Sequence, residues 1–264
     1  MSWEAIWDMF SVSVIITSWN RSEVVDAIES VQRCTIGHDF EVVVSDNGSD
    51  APLQDRLMDM KNLRMIDTLI LRPPGDNQSW AAGMNEAVSH CSKEWATVPS
   101  MANDFLMQPG YMDAMERAIN ACYAEGKDPT KIQWAFAPIL FSGELQPEGF
   151  GGYVYEPARY AHAPSDNPDY TGHGLIHASL WEFVGGYDTQ FTPIYMEDVD
   201  WGIRLHLALA AEGASIKEAI KYPAIVLVED SKIIHRKAHT VRGHGSAAWQ
   251  SNRQRLLQKF PELV

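Results

Sequence analysis

No apolar run in this chain reaches the roughly 18 residues that a membrane-crossing helix needs. Cysteine is scarce: Cys34, Cys91 and Cys122 are odd in number and widely spaced, with no C-x-x-C pair. That excludes a zinc ribbon and a disulfide framework, and points to a reducing, cytoplasmic setting. Positive charge is also short, at 21 Lys and Arg against 35 Asp and Glu. The resulting net charge of −14 repels phosphate backbones and argues against a general nucleic-acid coat protein. A G-x-G-x-x-G turn after the first apolar run is missing, which counts against a dinucleotide dehydrogenase. A Walker A lysine loop is missing too. The opening MSWEAIWDMF carries two acids and no base and does not read as a signal peptide. Internal repeats and low-complexity tracts are absent.

What is present suits an ordinary globular chain, 45% hydrophobic over 264 residues, enough for a full core without staples. Val12–Thr17 is a β-branched run bounded by polar residues and predicts a buried strand. A helix follows over Ser22–Arg33, with Ser22 as N-cap and Val24, Ile28 and Val31 on one face. Phe40–Ser45 predicts a second buried strand, ending in Asp46-Asn47-Gly48-Ser49-Asp50. Turn formers straight after a strand place their side chains at its carboxyl end. Leu53–Met60, Ser79–Cys91 and Gly110–Glu125 read as helices, and Leu69–Leu71 and Trp95–Pro99 as strands. Alternating strands and helices predict an α/β fold with a mostly parallel sheet flanked by helices, ligands gathering at the strand carboxyl ends.

The second half is less regular. Trp134–Leu140 and Ala224–Val228 read as strands, Val199–Glu212 and Ser246–Phe260 as helices, and Gly174–Val184 as mixed. Gln146–Tyr170, with four prolines and four tyrosines, reads as a long loop or lid. The nine tryptophans offer faces for sugar rings, although most Trp residues belong to cores.

Several short motifs fall in one order. They are Val14-Ile15-Ile16-Thr17-Ser18-Trp19-Asn20-Arg21, Ser45-Asp46-Asn47-Gly48-Ser49-Asp50 and Asn77-Gln78-Ser79-Trp80-Ala81-Ala82-Gly83-Met84-Asn85. Asn103-Asp104 then precedes Gln108-Pro109-Gly110, Val184-Gly185-Gly186-Tyr187-Asp188 precedes Glu197-Asp198-Val199-Asp200, and His235 comes late. Together they resemble the GT-A-fold, family 2-type inverting glycosyltransferases over about Ser11 to His235, with Ser79 where that family usually has Gly. The resemblance implies one GT-A domain: a nucleotide-binding half (11–125), an acceptor and catalytic half (126–245) and a closing helix (246–264). It implies transfer of a hexosyl or pentosyl group from a nucleoside-diphosphate sugar to a hydroxyl of a glycan, a protein or a hydroxylated nucleic-acid base.

A carboxylate at a strand end can accept hydrogen bonds from a base N–H or ribose hydroxyls, and Asp46 has that position. Thr17, Asn20 and Arg21 stand beside it at the lip of the first strand. Asn77, Gly83 and Asn85 are expected to close the nucleotide pocket, though a capped helix with a small packing residue reads equally well. A diphosphate leaving group calls for a divalent cation, Mn²⁺ or Mg²⁺, held mainly by oxygen. By resemblance Asp104 is a metal ligand, Asn103 stands beside it, and His235 binds the metal or the diphosphate. Ala102 departs from the pattern, occupying the place of the first acid. His173 falls in the acceptor-side region. Asp198, with Glu197 beside it, matches the acid pair whose Asp serves as catalytic base. Asp200 is the rival, with Arg204 four residues on as its ion-pair partner.

A sugar-phosphate nucleotidyltransferase is disfavoured because Ser18-Trp19-Asn20-Arg21 lacks the glycine-rich basic loop such enzymes need. The alternative that stays open is a degenerate GT-A fold kept for carbohydrate or partner binding, and Ala102 is its support.

Overall fold

Every residue from Val12 to Ser18 is buried along the first strand, β1 (Ser11–Ser18), and successive side chains serve opposite faces of one sheet. In the computed structural model, which describes residues 10–97, 101–141, 153–154, 174–219, 224–236 and 245–263, two apolar clusters record the alternation. Val12, Val14 and Ile16, with Val42 and Val44 of β2 (Asp39–Asp46), pack under one set of helices. Ile15 and Val43 face the other set. A strand covered on both faces reads as an unbroken apolar run, as these two do.

The first helical layer comprises α1 (Glu23–Cys34), α2 (Ala51–Asn62) and α4 (Tyr111–Ala124), and the second holds α3 (Trp80–Ser89), α5 (Ala178–Val184) and α6 (Glu197–Leu209). On α1, Val24, Ala27, Ile28 and Val31 form the buried stripe; fully burying each large aliphatic side chain contributes about 1.5–3 kcal/mol. Ser22 does occupy the N-cap of α1, but its hydroxyl makes no capping bond. Asp50 caps α2 by accepting from the Leu53 N–H at 3.3 Å.

The sheet runs β3-β2-β1-β4-β9-β7-β10-β6, where β3 is Thr68–Leu71, β4 Trp95–Thr97, β6 Phe105–Met107, β7 Gln133–Phe141, β9 Gly174–His177 and β10 Ile225–Arg236. The short β5 (Met101–Ala102) pairs with β1, and β8 (Tyr153–Val154) with β7. β1 pairs in parallel with β2, β4 and β5, β2 with β3, and β7 with β10. The second half of the chain adds the antiparallel pairs, β9 against β4 and β7, and β6 against β10.

Several boundaries differ from the sequence expectation. β10 runs on to Arg236 instead of ending at Val228, because its register shifts between Val228 and Lys232 and so breaks the alternation. The mixed stretch after residue 173 resolves into β9 and α5, and α6 begins at Glu197, not Val199. A short helix, α7 (Ile216–Ala219), and α8 (Gly245–Lys259) complete the elements. Of the expected lid, only Tyr153–Val154 falls within the described residues, as β8 against β7. Among the described residues no helix is long and apolar enough to cross a membrane.

Candidate active site

The carboxyl ends of β1 and β2 are stitched together by their own loops. The Asn47 N–H donates to the Ser18 carbonyl at 2.8 Å, and the Asn20 N–H to the Ser49 hydroxyl at 2.8 Å. Asn20, in the left-handed region at φ 49°, accepts in turn from the Asp50 N–H at 2.7 Å. Asn enters that region more readily than most residues, and here its side chain bonds across to the loop after β2. Gly48 (φ 83°) is required twice over: a Cβ there would sit 2.8 Å from the Asp76 backbone nitrogen. A cavity of about 670 Å³ opens beside this seam, between the first turns of α1 and α2, with Asn20, Asp26, Asp50 and Arg56 in its wall.

Asp46 is fully buried at the end of β2. Its carboxylate accepts from the Ser49 N–H at 2.9 Å, from the Ser49 hydroxyl, and from the Gln54 carboxamide at 2.9 Å. In this arrangement Asp46 shapes the loop from within. Asn47 is the hub around it, donating to the Asn77 side-chain oxygen at 2.6 Å and to the Ser79 carbonyl at 3.1 Å. Its own side-chain oxygen accepts from the Arg72 guanidinium, whose other arm pairs with Glu86. Arg72 escaped the sequence reading. It follows β3 and meets Glu86 on α3, and no local spacing connects the two. Gly83 lies where α3 crosses β2; a Cβ there would stand 3.5 Å from the Ser45 hydroxyl. Ser79, at φ 121°, caps α3 by accepting from the Ala82 N–H at 3.2 Å. Arg21 stands 3.9 Å from Glu23, a partly exposed pair.

Asn85 turns away from the β1–β2 seam. Its side chain donates to the Tyr187 carbonyl at 2.9 Å and accepts from the Tyr187 N–H at 2.8 Å. A Cβ on Gly186 would come within 2.8 Å of that carboxamide oxygen, so the glycine is what admits the clamp. Arg204 secures the same turn from α6, donating to the carbonyls of Val184 (2.8 Å) and Gly186 (2.7 Å).

The three acids opening α6 have different surroundings. Asp200 is fully buried, bonded to Arg204 at 2.8 Å and ion-paired with Lys259 of α8 at 2.6 Å. Glu197 is only 3% exposed, and its Oε2 is buried without a hydrogen-bond partner among the described residues. Burial, with the Asp198 charge adding to it, pushes the Glu197 carboxyl up to about 8, so it holds its proton at neutral pH. Asp198 is partly exposed, and its carboxylate accepts from the Val199 N–H at 2.9 Å. Tyr187 packs its ring near both acids; burial first, then Asp198 and Glu197, raises its phenol well above the ordinary value.

A cation site would draw on Asp104 and His235. Asp104 is largely buried in the turn between β5 and β6, and β5 sets Ala102 beside Thr17 of β1. The antiparallel β6–β10 register places His235 opposite Phe105, next in the chain to Asp104. Among the described residues no group of three or more His, Cys, Asp or Glu side chains gathers as a metal cage. A divalent cation that takes most of its ligands from phosphate and water needs few protein groups. Asn103 lies in the same turn and is partly exposed. His173 falls outside the described residues.

Residues 13–121 match the model of glycosyl transferase family 2. No curated protein sequence matches the chain. Among solved structures, the mannosyltransferase PcManGT from Pyrobaculum calidifontis, in complex with GDP-Man and Mn²⁺, is 19% identical with a TM-score of 0.59; the match covers 96% of this chain and 63% of that one. GalNAc-T7 with UDP, GalNAc and Mn²⁺ is 12% identical with a TM-score of 0.64, covering 95% and 48%. S. aureus TarS is 13% identical with a TM-score of 0.60, covering 86% and 37%. The chain therefore spans less than two thirds of the length of each. At these identities the likeness concerns the fold, which is that of the GT-A glycosyltransferases. The match to glycosyl transferase family 2 thus covers residues 13–121, on a chain whose sheet and helical layers are of the GT-A type.

Proposed function

We propose that this chain is a metal-dependent, inverting glycosyltransferase, with residues 11–125 as its nucleotide-binding half and 126–245 as its acceptor half. The observation that carries the reading is the sorting of the three acids at the start of α6: Asp200 is paired and sealed, Glu197 is sealed where burial favours its neutral form, and Asp198 alone of the three reaches solvent. In this reading the acceptor hydroxyl gives its proton to the Asp198 carboxylate as its oxygen attacks the anomeric carbon. The bond from that carbon to the diphosphate breaks on the opposite face, so the configuration inverts and the nucleoside diphosphate leaves. Glu197, neutral beside it, adds no second negative charge against the attacking oxygen.

The donor is a nucleoside-diphosphate sugar, laid across the β1 and β2 ends against Thr17, Asn20, Arg21 and the Asp46–Asp50 loop. The presence of GDP-Man, or of UDP with GalNAc, in two structures of this fold supports that class of ligand. Mn²⁺ or Mg²⁺, held by Asp104 and His235, would neutralise charge developing on the diphosphate; both of those structures contain Mn²⁺. The acceptor hydroxyl belongs to a glycan, a protein or a hydroxylated base. Ala102, in place of the first acid, favours a second reading, a carbohydrate-binding fold without turnover. Incubation with UDP-, GDP-, dTDP- and CDP-sugars, with and without Mn²⁺, separates the two. Slow, Mn²⁺-dependent release of one nucleoside diphosphate is expected, and no release from any donor would establish the binder.

A further inference from the structure

The segment leading into the acid pair is held from α8. Tyr195 and Met196 both lie in the left-handed region, at φ 85° and 72°, immediately before Glu197. Neither is a glycine, and two such residues in succession persist only where neighbouring contacts impose them. The contacts come from one side chain. Asn252 is fully buried, and its amide nitrogen lies 3.4, 3.1 and 3.1 Å from the carbonyl oxygens of Thr192, Ile194 and Tyr195. Two N–H bonds of one carboxamide thus serve three carbonyls of the turn. The Asn252 oxygen accepts from Arg255 at 3.3 Å, and Arg255 also donates to the Gln190 carbonyl. One turn further, Lys259 ties Asp188 at 2.9 Å to Asp200 at 2.6 Å. Leu256 packs with Phe191, Met196 and Val199 behind the turn. α8 therefore grips the chain on both sides of Glu197-Asp198.

We infer that Asn252 is a positioning residue for Asp198: it dictates the left-handed Tyr195–Met196 turn and thereby the direction in which α6 presents its first acids. The inference rests on the proposed role of Asp198. Replacing the amide by a carboxylate of the same shape, Asn252→Asp, removes both donors and sets an acceptor against three carbonyls. Asn252→Ala removes the group altogether. Gln254→Ala, on the exposed side of α8, serves as control.

Hydrogen–deuterium exchange of the 190–200 peptide, compared with the β1 and β2 peptides, is the first measurement. Exchange faster by about tenfold or more in 190–200 alone, for both Asn252 variants, is expected. Release of nucleoside diphosphate from the best of the UDP-, GDP-, dTDP- and CDP-sugars is the second. Turnover should fall by about tenfold or more while the nucleoside diphosphate Kd stays within about twofold, the split expected when a group acting only in the transition state is misplaced. Unchanged exchange in 190–200 overturns the inference, as does a turnover loss matched by an equal loss of affinity. Exchange that rises throughout the sheet in both variants also overturns it, because it makes Asn252 a general core residue. A wild-type protein that releases nothing from any donor defeats the transferase reading instead, and the exchange comparison still decides whether Asn252 holds the turn.

Discussion

The indole N–H of Trp80 donates to the hydroxyl of Thr17 at 3.0 Å. The backbone N–H of Trp80 also donates to the Pro193 carbonyl at 3.1 Å, and its ring lies 5.3 Å from that of Tyr187. One residue at the start of α3 thus joins the lip of β1 to the turn that carries the acids. Trp80→Phe keeps most of the ring and loses the N–H. A neutral hydrogen bond is worth about 1 kcal/mol, so nucleoside diphosphate affinity should weaken by about fivefold in calorimetric titration with Mn²⁺. Unaltered affinity would remove Thr17 and Trp80 from the nucleotide site.

The sorting of the three acids separates two variants that sequence alone would treat alike. Asp198→Asn should lower turnover by about 10²–10⁴ with melting temperature and nucleotide affinity almost unchanged. Asp200→Asn instead leaves Arg204 and Lys259 facing a neutral group. Breaking a buried ion pair costs about 3–5 kcal/mol, so a markedly lower Tm is expected. Thermal denaturation and donor turnover measured on both proteins check the assignment; equal rate losses without a Tm difference would contradict it.

Glu197 makes stability depend on pH in a defined direction. In the folded protein its carboxyl is raised from 4.5 to about 8, so between those values the folded state holds a proton that the unfolded chain has lost. Its contribution is fully present below about pH 4.5 and is lost as pH rises through about 8. Glu197→Gln, neutral at every pH, should gain stability relative to wild type as pH rises across that window. Chemical denaturation at about pH 4.5, about pH 6 and about pH 8, the ends and middle of that window, gives the comparison; parallel curves would show that Glu197 is ionised.

Metal dependence tests the β6–β10 register directly. With the matching nucleoside diphosphate present, Mn²⁺ binding should be lost or weakened by about tenfold in Asp104→Ala and in His235→Ala, and the diphosphate should bind less well without the cation. Full turnover in EDTA would exclude the site.

Local chemistry made part of this protein readable from its sequence. Val12–Thr17 and Phe40–Ser45 announce buried strands, because covering both faces demands unbroken β-branched runs. Asp46-Asn47-Gly48 announces a turn at a strand end, because Gly48 must accept a positive φ. The Asp200–Arg204 pair was equally legible, since four residues bring two side chains onto one helical face. Pairings across the fold were decided only by tertiary structure. His235 comes beside the Asp104 turn through the β6–β10 ladder, over a separation that no periodicity encodes. The clamp of Asn85 on Tyr187 is another, made because the Gly186 turn folds back onto α3. Asn252 gave no sign of a role, since its three carbonyl partners lie some sixty residues earlier in the chain. Which of Glu197, Asp198 and Asp200 reaches solvent also had to wait for the structure. Sequence spacing ranks neighbours along one helix, as it does for Arg204 and Asp200, whereas burial depends on what packs over that helix, and here the covering residues include Tyr187 and Lys259 from two other parts of the chain.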